Sequence, residues 1–193
     1  KAEPETEIKQ TTDSSIPAWY DIVEPNSDVI KGTYSHAKFA ADLSKVVKNK
    51  ASLEYQDPVE FFKRTHMTDG MQLLLETSIK RLTGKGGESV IQVKTAFGGG
   101  KTHTMLALYH LLSGKAEQEE LIGIGDLVDN LELTELPKAS FAVLVGTDLN
   151  VSKPRSVGGL KLHTLWGELA YQIGGKKAYE IIRVNDEQGT SPG

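Results

Sequence analysis

Apolar residues recur along this chain with two different periods. In "DPVEFFKRTHMTDGMQLLLETSIKRLTG", residues 57–84, they return every three or four positions, the spacing that lays one face of a helix against a core. Asp57 and Glu60 form a capping-box start with Pro58 in the first turn, and Thr68 opens a second helix that runs to about Leu82, ahead of Gly84. Upstream, Ser35 is placed to cap a helix carrying Phe39, Leu43 and Val46 on one side. Past Gly84 the pattern changes. "ESVIQVKTA" (88–96) and "SFAVLVGT" (140–147) are short, β-branched and apolar, which reads as two buried strands. Between them "KTHTMLALYHLL" (101–112) reads as a helix, and the linker "KAEQEELIGIGDLVDNLELTELPK" (115–138) holds another. "LKLHTLWGELAYQIG" (160–174) and "KKAYEIIRVNDEQ" (176–188) follow as helices. Strands alternating with helices at this spacing predict an α/β fold with a parallel sheet flanked by helices, preceded by a mainly helical region.

The junction of the first strand and its helix, "TAFGGGKT", holds the densest glycine cluster in the chain. Glycines let a backbone take positive φ and bring its N–H groups close to an anion, while the helix that follows points its positive dipole end at the same place. The phosphate-binding loop pattern is G-x-x-x-x-G-K-[ST]. Gly100, Lys101 and Thr102 satisfy it, Gly98 and Gly99 supply freedom inside the loop, and Thr95 stands where the first glycine belongs. In such a loop Lys101 reaches the β- and γ-phosphates as a point charge and the Thr102 hydroxyl ligates Mg²⁺. His103, in the first helical turn, is close enough to face a phosphate and equally placed to pack or cap. The alternative use of a glycine-rich strand-to-helix turn, a dinucleotide site, needs a G-x-G-x-x-G spacing that is absent here. The fold expectation therefore narrows to a P-loop NTPase-like domain that binds ATP with Mg²⁺.

Composition limits the rest of the picture. The chain has 193 residues, 38% hydrophobic and 25% charged, which suits a folded domain. A net charge of −4 gives no global signal for nucleic acid or an anionic membrane. The absence of cysteine excludes disulfides and thiolate chemistry, and no apolar run approaches the roughly 20 residues of a membrane span, so the reading is cytoplasmic. Residues 1–15 have the composition of a flexible lead-in, 16–84 form the mainly helical region, and 85–193 form the front part of the nucleotide-binding domain. A start without Met and an end at "NDEQGTSPG" suggest a piece of a longer protein, with an incomplete domain.

Several segments, "IPAWYDIVEP", "YQDPVEFFKRTHMT", "VKTAFGGGKTHTMLALYHLLSG", "VLVGTDL" and "HTLWGELAYQIGG", resemble the amino-terminal part of large prokaryotic P-loop ATPases of unknown function found among phage-defence and DNA-modification genes. The resemblance covers nearly the whole chain after the first dozen residues, and "FGGGKTH" is its most specific part. It implies an AAA-like ATPase core in a longer protein, and it makes Thr95 an ordinary occupant of its position. The implied partners are nucleotide, the remainder of the larger protein, and a second copy or defence-complex components.

Hydrolysis requires an acidic residue at the end of a neighbouring strand. The available candidate is Asp148 in "FAVLVGTDL", where Gly146 and Thr147 intervene, so it is a poor fit as the Mg²⁺ carboxylate. The resemblance places the acidic strand beyond residue 193, which implies a nucleotide site present but half furnished. Three functions follow: the nucleotide-binding front half of a larger ATPase, a non-hydrolysing ATP-binding switch or interaction module, and, least favoured, a P-loop kinase. Among other residues, Tyr55, Phe61 and Phe62 read as core before base-stacking groups. Lys153 and Arg155 read as a solvated loop pair that could reach a phosphate. His103 and His110 lack a third ligand for a metal.

Overall fold

The computed structural model describes residues 17–25, 27–32, 41–146 and 153–193. The chain forms two compact units, 1–40 and 41–193. In the first, two short helices are described, α1 (Trp19–Ile22) and α2 (Ser27–Ile30). The helix expected from Ser35 starts outside the described residues; α3 begins at Leu43, capped by Asp42, whose carboxylate accepts from the Lys45 N–H at 3.1 Å.

The second unit is built from helices. After α3 (Leu43–Val47) come α4 (Leu53–Gln56), α5 (Pro58–Lys63), α6 (Asp69–Leu82), α7 (Lys101–Leu112), a 3-10 turn (Gln118–Glu120), α8 (Gly125–Asn130) and α9 (Leu165–Gln188). Local chemistry sets the central starts as the pattern predicts. Asp57 accepts from the Glu60 N–H at 2.9 Å with Pro58 in the first turn, and Thr68 accepts from the Met71 N–H at 3.3 Å. On α6, Met71, Leu74, Leu75 and Ile79 are buried at three- and four-residue spacing. Met71, Leu75 and Ile79 join Phe61, Phe62, Leu106, Leu111, Ile124 and Leu127 in one hydrophobic cluster that runs across residue 84 without interruption. Phe61 and Phe62 are thus core residues, as their helical spacing suggests.

The predicted parallel sheet does not form among the described residues. Among the described residues there are two strands, β1 (Arg155–Val157) and β2 (Leu160–Leu162), paired antiparallel as a hairpin with Val157 opposite Leu160. The segments expected as buried strands are 88–96 and 140–147; residues 88–96 and 140–145 are irregular and enter no ladder among the described residues, and 147 lies outside them. Apolar β-branched side chains alone do not make a strand, because a strand exists through a neighbour's N–H and C=O groups. Here Ile91, Val93 and Phe141 line a groove of about 360 Å³ together with Met105 and Leu108 of α7, and the Phe141 ring lies 5.0 Å from that of Tyr109. The peptide of Val143 is satisfied by a side chain, donating to Gln172 Oε1 at 2.7 Å and accepting from Gln172 Nε2 at 2.9 Å. The P-loop NTPase-like sheet expectation is therefore corrected to a mainly helical unit with one small hairpin.

The stretch 160–174, expected as helix throughout, gives β2 first and helix only from Leu165, where Thr164 accepts from the Gly167 N–H at 3.1 Å. Helix α9 breaks at Gly174 (φ −132°, ψ 17°) and Gly175 (φ 61°, ψ −152°), which separates the two helices that the sequence pattern places on either side. None of the described helices is long and apolar enough to cross a membrane.

Candidate functional site

The glycine loop sits between the segment ending at Ala96 and the start of α7. Gly98 and Gly100 have φ of 78° and 75°, left-handed backbone that a side chain resists, and the Gly99 N–H closes the turn onto the Ala96 carbonyl at 3.1 Å. Gly100 is the N-cap residue of α7 and offers no side chain to cap it. The first turn of α7 thus presents its N–H groups without a side-chain cap, the end of a helix that attracts anions.

Charge at this end runs against the usual rule. A helix start is stabilised by acidic residues and a helix end by basic ones. Helix α6 obeys, with Asp69 in its first turn and Lys80 and Arg81 in its last. Helix α7 starts with Lys101 and has no acidic residue in its first turn. The positive potential there is uncompensated by any acidic side chain of its own turn. Lys101 Nζ instead bonds oxygens of the loop, Thr95 O at 3.2 Å, Thr95 Oγ1 at 3.0 Å and Ala96 O at 3.0 Å. Thr102, the next residue, is exposed.

His103 points elsewhere. Its Nε2 lies 2.9 Å from Thr65 Oγ1, and its ring lies 4.5 Å from that of Phe61. Thr65 donates its own proton to the Phe61 carbonyl at 2.7 Å, so the imidazole must be the donor through Nε2–H. Burial lowers the His103 pKa from its ordinary value. Of the alternatives open for His103, the geometry favours packing: it fastens the first turn of α7 to the end of α5. Asp148 lies outside the described residues. The structure therefore gathers Gly98, Gly99, Gly100, Lys101 and Thr102 at one helix start and turns His103 toward α5.

Two features escaped the sequence pattern. Phe97, at the loop tip, is fully exposed. Arg155 is not a solvated loop charge: its Nε and Nη2 meet both oxygens of Glu168 at 2.6 and 2.5 Å, and Glu168 is 4% exposed. Gln172 Nε2 adds a third bond to Glu168 at 2.6 Å. This group borders a cavity of about 550 Å³ lined also by Val47, Val143 and Tyr171. Its partners are 13 residues apart in sequence, with no local pattern to announce them.

Comparison with curated proteins and with solved structures gave no match. A family match extends over residues 21–193, which includes the glycine loop, α7 and the whole helical core, and corresponds to the DUF499 N-terminal domain. The chain belongs to the DUF499 family as its amino-terminal domain.

Proposed function

We propose that the loop 95–102 binds the phosphates of ATP together with Mg²⁺, and that this domain is the nucleotide-binding part of a larger AAA-like ATPase. The observation that carries the reading is the start of α7: a glycine cap without a side chain, followed at once by a lysine and no acid. Such a start is unfavourable for an isolated helix by about 0.3–1 kcal/mol, and a bound anion reverses the sign. The N–H groups of the first turn would hold phosphate oxygens, and Lys101 would neutralise them at short range. The exposed hydroxyl of Thr102 fits Mg²⁺, a hard cation that takes a few protein oxygens and completes its shell with phosphate and water. When bound, the metal supplies charge neutralisation between neighbouring phosphates. The setting implied by the sequence resemblance, phage defence or DNA modification with partner proteins or further copies, belongs to the same proposal, as does a cytoplasmic location.

The experiment is a titration of the chain with ATP and Mg²⁺ by calorimetry, beside Lys101→Ala. Removal of a charge-assisted contact worth roughly 1.5–3 kcal/mol weakens binding about ten-fold or more. Superimposable curves for the two proteins would sink the assignment.

A further inference from the structure

Thr95 occupies the place of the first glycine in the ordinary loop pattern, and its hydroxyl has a defined position. Thr95 Oγ1 accepts from Lys101 Nζ at 3.0 Å and donates to the Ala96 carbonyl at 3.1 Å. With Thr95 O and Ala96 O it gives the ammonium three oxygens, one for each N–H. A glycine at this position would leave the two carbonyls and remove the third acceptor. Packing tells the same story independently. A Cβ at Gly99 would lie 2.6 Å from Thr95 Oγ1 and 2.7 Å from Thr95 Cβ, so the threonine side chain fills the inside of the turn and Gly99 makes room for it.

Resting on the phosphate reading above, we propose that Thr95 is a positioning residue for Lys101. Its hydroxyl holds the ammonium inside the loop until a phosphate arrives, and binding then exchanges neutral loop oxygens for charged phosphate oxygens. The exchange involves no covalent step. A ligand gains from the held lysine only if it carries phosphate out to the β position or beyond, so Thr95 acts on polyphosphates and is indifferent to monophosphates.

The test compares the chain with Thr95→Val, which keeps the branched shape and removes the acceptor, and with Thr95→Ser, which restores it. Two readouts are used. Without nucleotide, the Nζ–H signal of Lys101 in ¹⁵N NMR is sharp in the parent and in Thr95→Ser and broadens in Thr95→Val, because the ammonium has lost one of its partners. With Mg²⁺, Thr95→Val binds ATP and ADP roughly three- to ten-fold more tightly than the parent, the size of one hydrogen bond in a solvated loop, and binds AMP equally. Thr95→Ser matches the parent throughout. An unchanged Lys101 signal in Thr95→Val overturns the hold on the lysine. Weaker ATP binding by Thr95→Val overturns the exchange, since the hydroxyl then contacts the nucleotide. A broadened signal with no nucleotide bound by any variant leaves the hold on Lys101 standing and overturns the phosphate reading alone.

Discussion

Asp186 is the most heavily bonded acid in the described chain. It is fully buried and accepts from His163 N–H at 2.9 Å, Thr164 N–H at 2.8 Å and Thr164 Oγ1 at 2.6 Å. The Tyr179 hydroxyl, 3.0 Å from Asp186 Oδ2 and 2.9 Å from the Lys161 carbonyl, shares its single proton between them. Burial alone would push this carboxyl up, but the donors of Thr164, His163 and Tyr179 together hold it below its ordinary value. Thr164 is also the cap of α9, so one carboxylate fixes the cap that fixes the helix. The room is made by Gly167, where a Cβ would run into the carboxylate. Asp186→Asn keeps the shape and turns an acceptor into a donor facing other donors. Urea denaturation should show a loss of roughly 2–4 kcal/mol; a loss inside the range of an ordinary surface change, about 0.5 kcal/mol, would refute this account. No local pattern in the sequence points to Asp186, whose backbone donors at Thr164 and His163 lie 22 and 23 residues away. Asp57 and Thr68, whose bonds span three residues, are legible for the opposite reason.

At the scale of elements, the same bonds decide how α9 is shaped. Thr164 and Asp186 would stand about 33 Å apart along a straight helix of that length. They are in direct contact, so the chain reverses at Gly174–Gly175 and the two halves of α9 run back alongside each other. Gly175 makes the turn at φ 61° and ψ −152°, a region open in practice to glycine alone. Gly175→Ala should cost about 1–3 kcal/mol in thermal or chemical denaturation. Gly70→Ala, inside α6 with open space around it, is the control and should be neutral or slightly stabilising. Equal effects of the two changes would mean that the turn is not held in this conformation. The helices and this break are readable because caps, glycines and three- and four-residue spacing are written locally. The sheet is not readable in the same way: segments 88–96 and 140–147 have strand-like side chains, whereas a ladder depends on a partner that no local pattern specifies. The glycine turn and the helix start at Lys101 are legible in the sequence; the orientation of His103 is not, since Thr65 lies 38 residues away.

At the scale of the whole molecule, the two histidines of α7 link the fold to pH. His110, seven residues after His103, is buried against Phe61, and its Nε2–H donates to the Tyr55 carbonyl at 2.8 Å. Its Nδ1 is buried with no hydrogen-bond partner among the described residues, so a proton added there would create a buried cation with an unmet N–H. Burial lowers the pKa of His110, with Lys115 adding to the shift and the Tyr55 carbonyl and Asp57 opposing it; burial also lowers that of His103. Both histidines have an ordinary value of 6.5, which the unfolded chain keeps. Below that value the unfolded chain binds protons that the folded chain refuses, so stability falls as pH drops through about 6.5 and keeps falling toward the folded values. Asp186 acts in the same direction only lower, as pH falls through 3.8. Tyr179 bounds the other side: its pKa is pushed up to about 12, chiefly by burial and then by Asp186, so above its ordinary 10.0 the unfolded chain ionises first and stability falls as pH rises. Melting temperatures measured from about pH 5.5 to about pH 7.5 should therefore rise with pH. His110→Gln, which keeps a donor for the Tyr55 carbonyl and cannot titrate, should lower the melting temperature at the upper pH while narrowing the difference between the two ends. A difference as wide in the variant as in the parent would show that His110 is not the group whose protonation the fold resists.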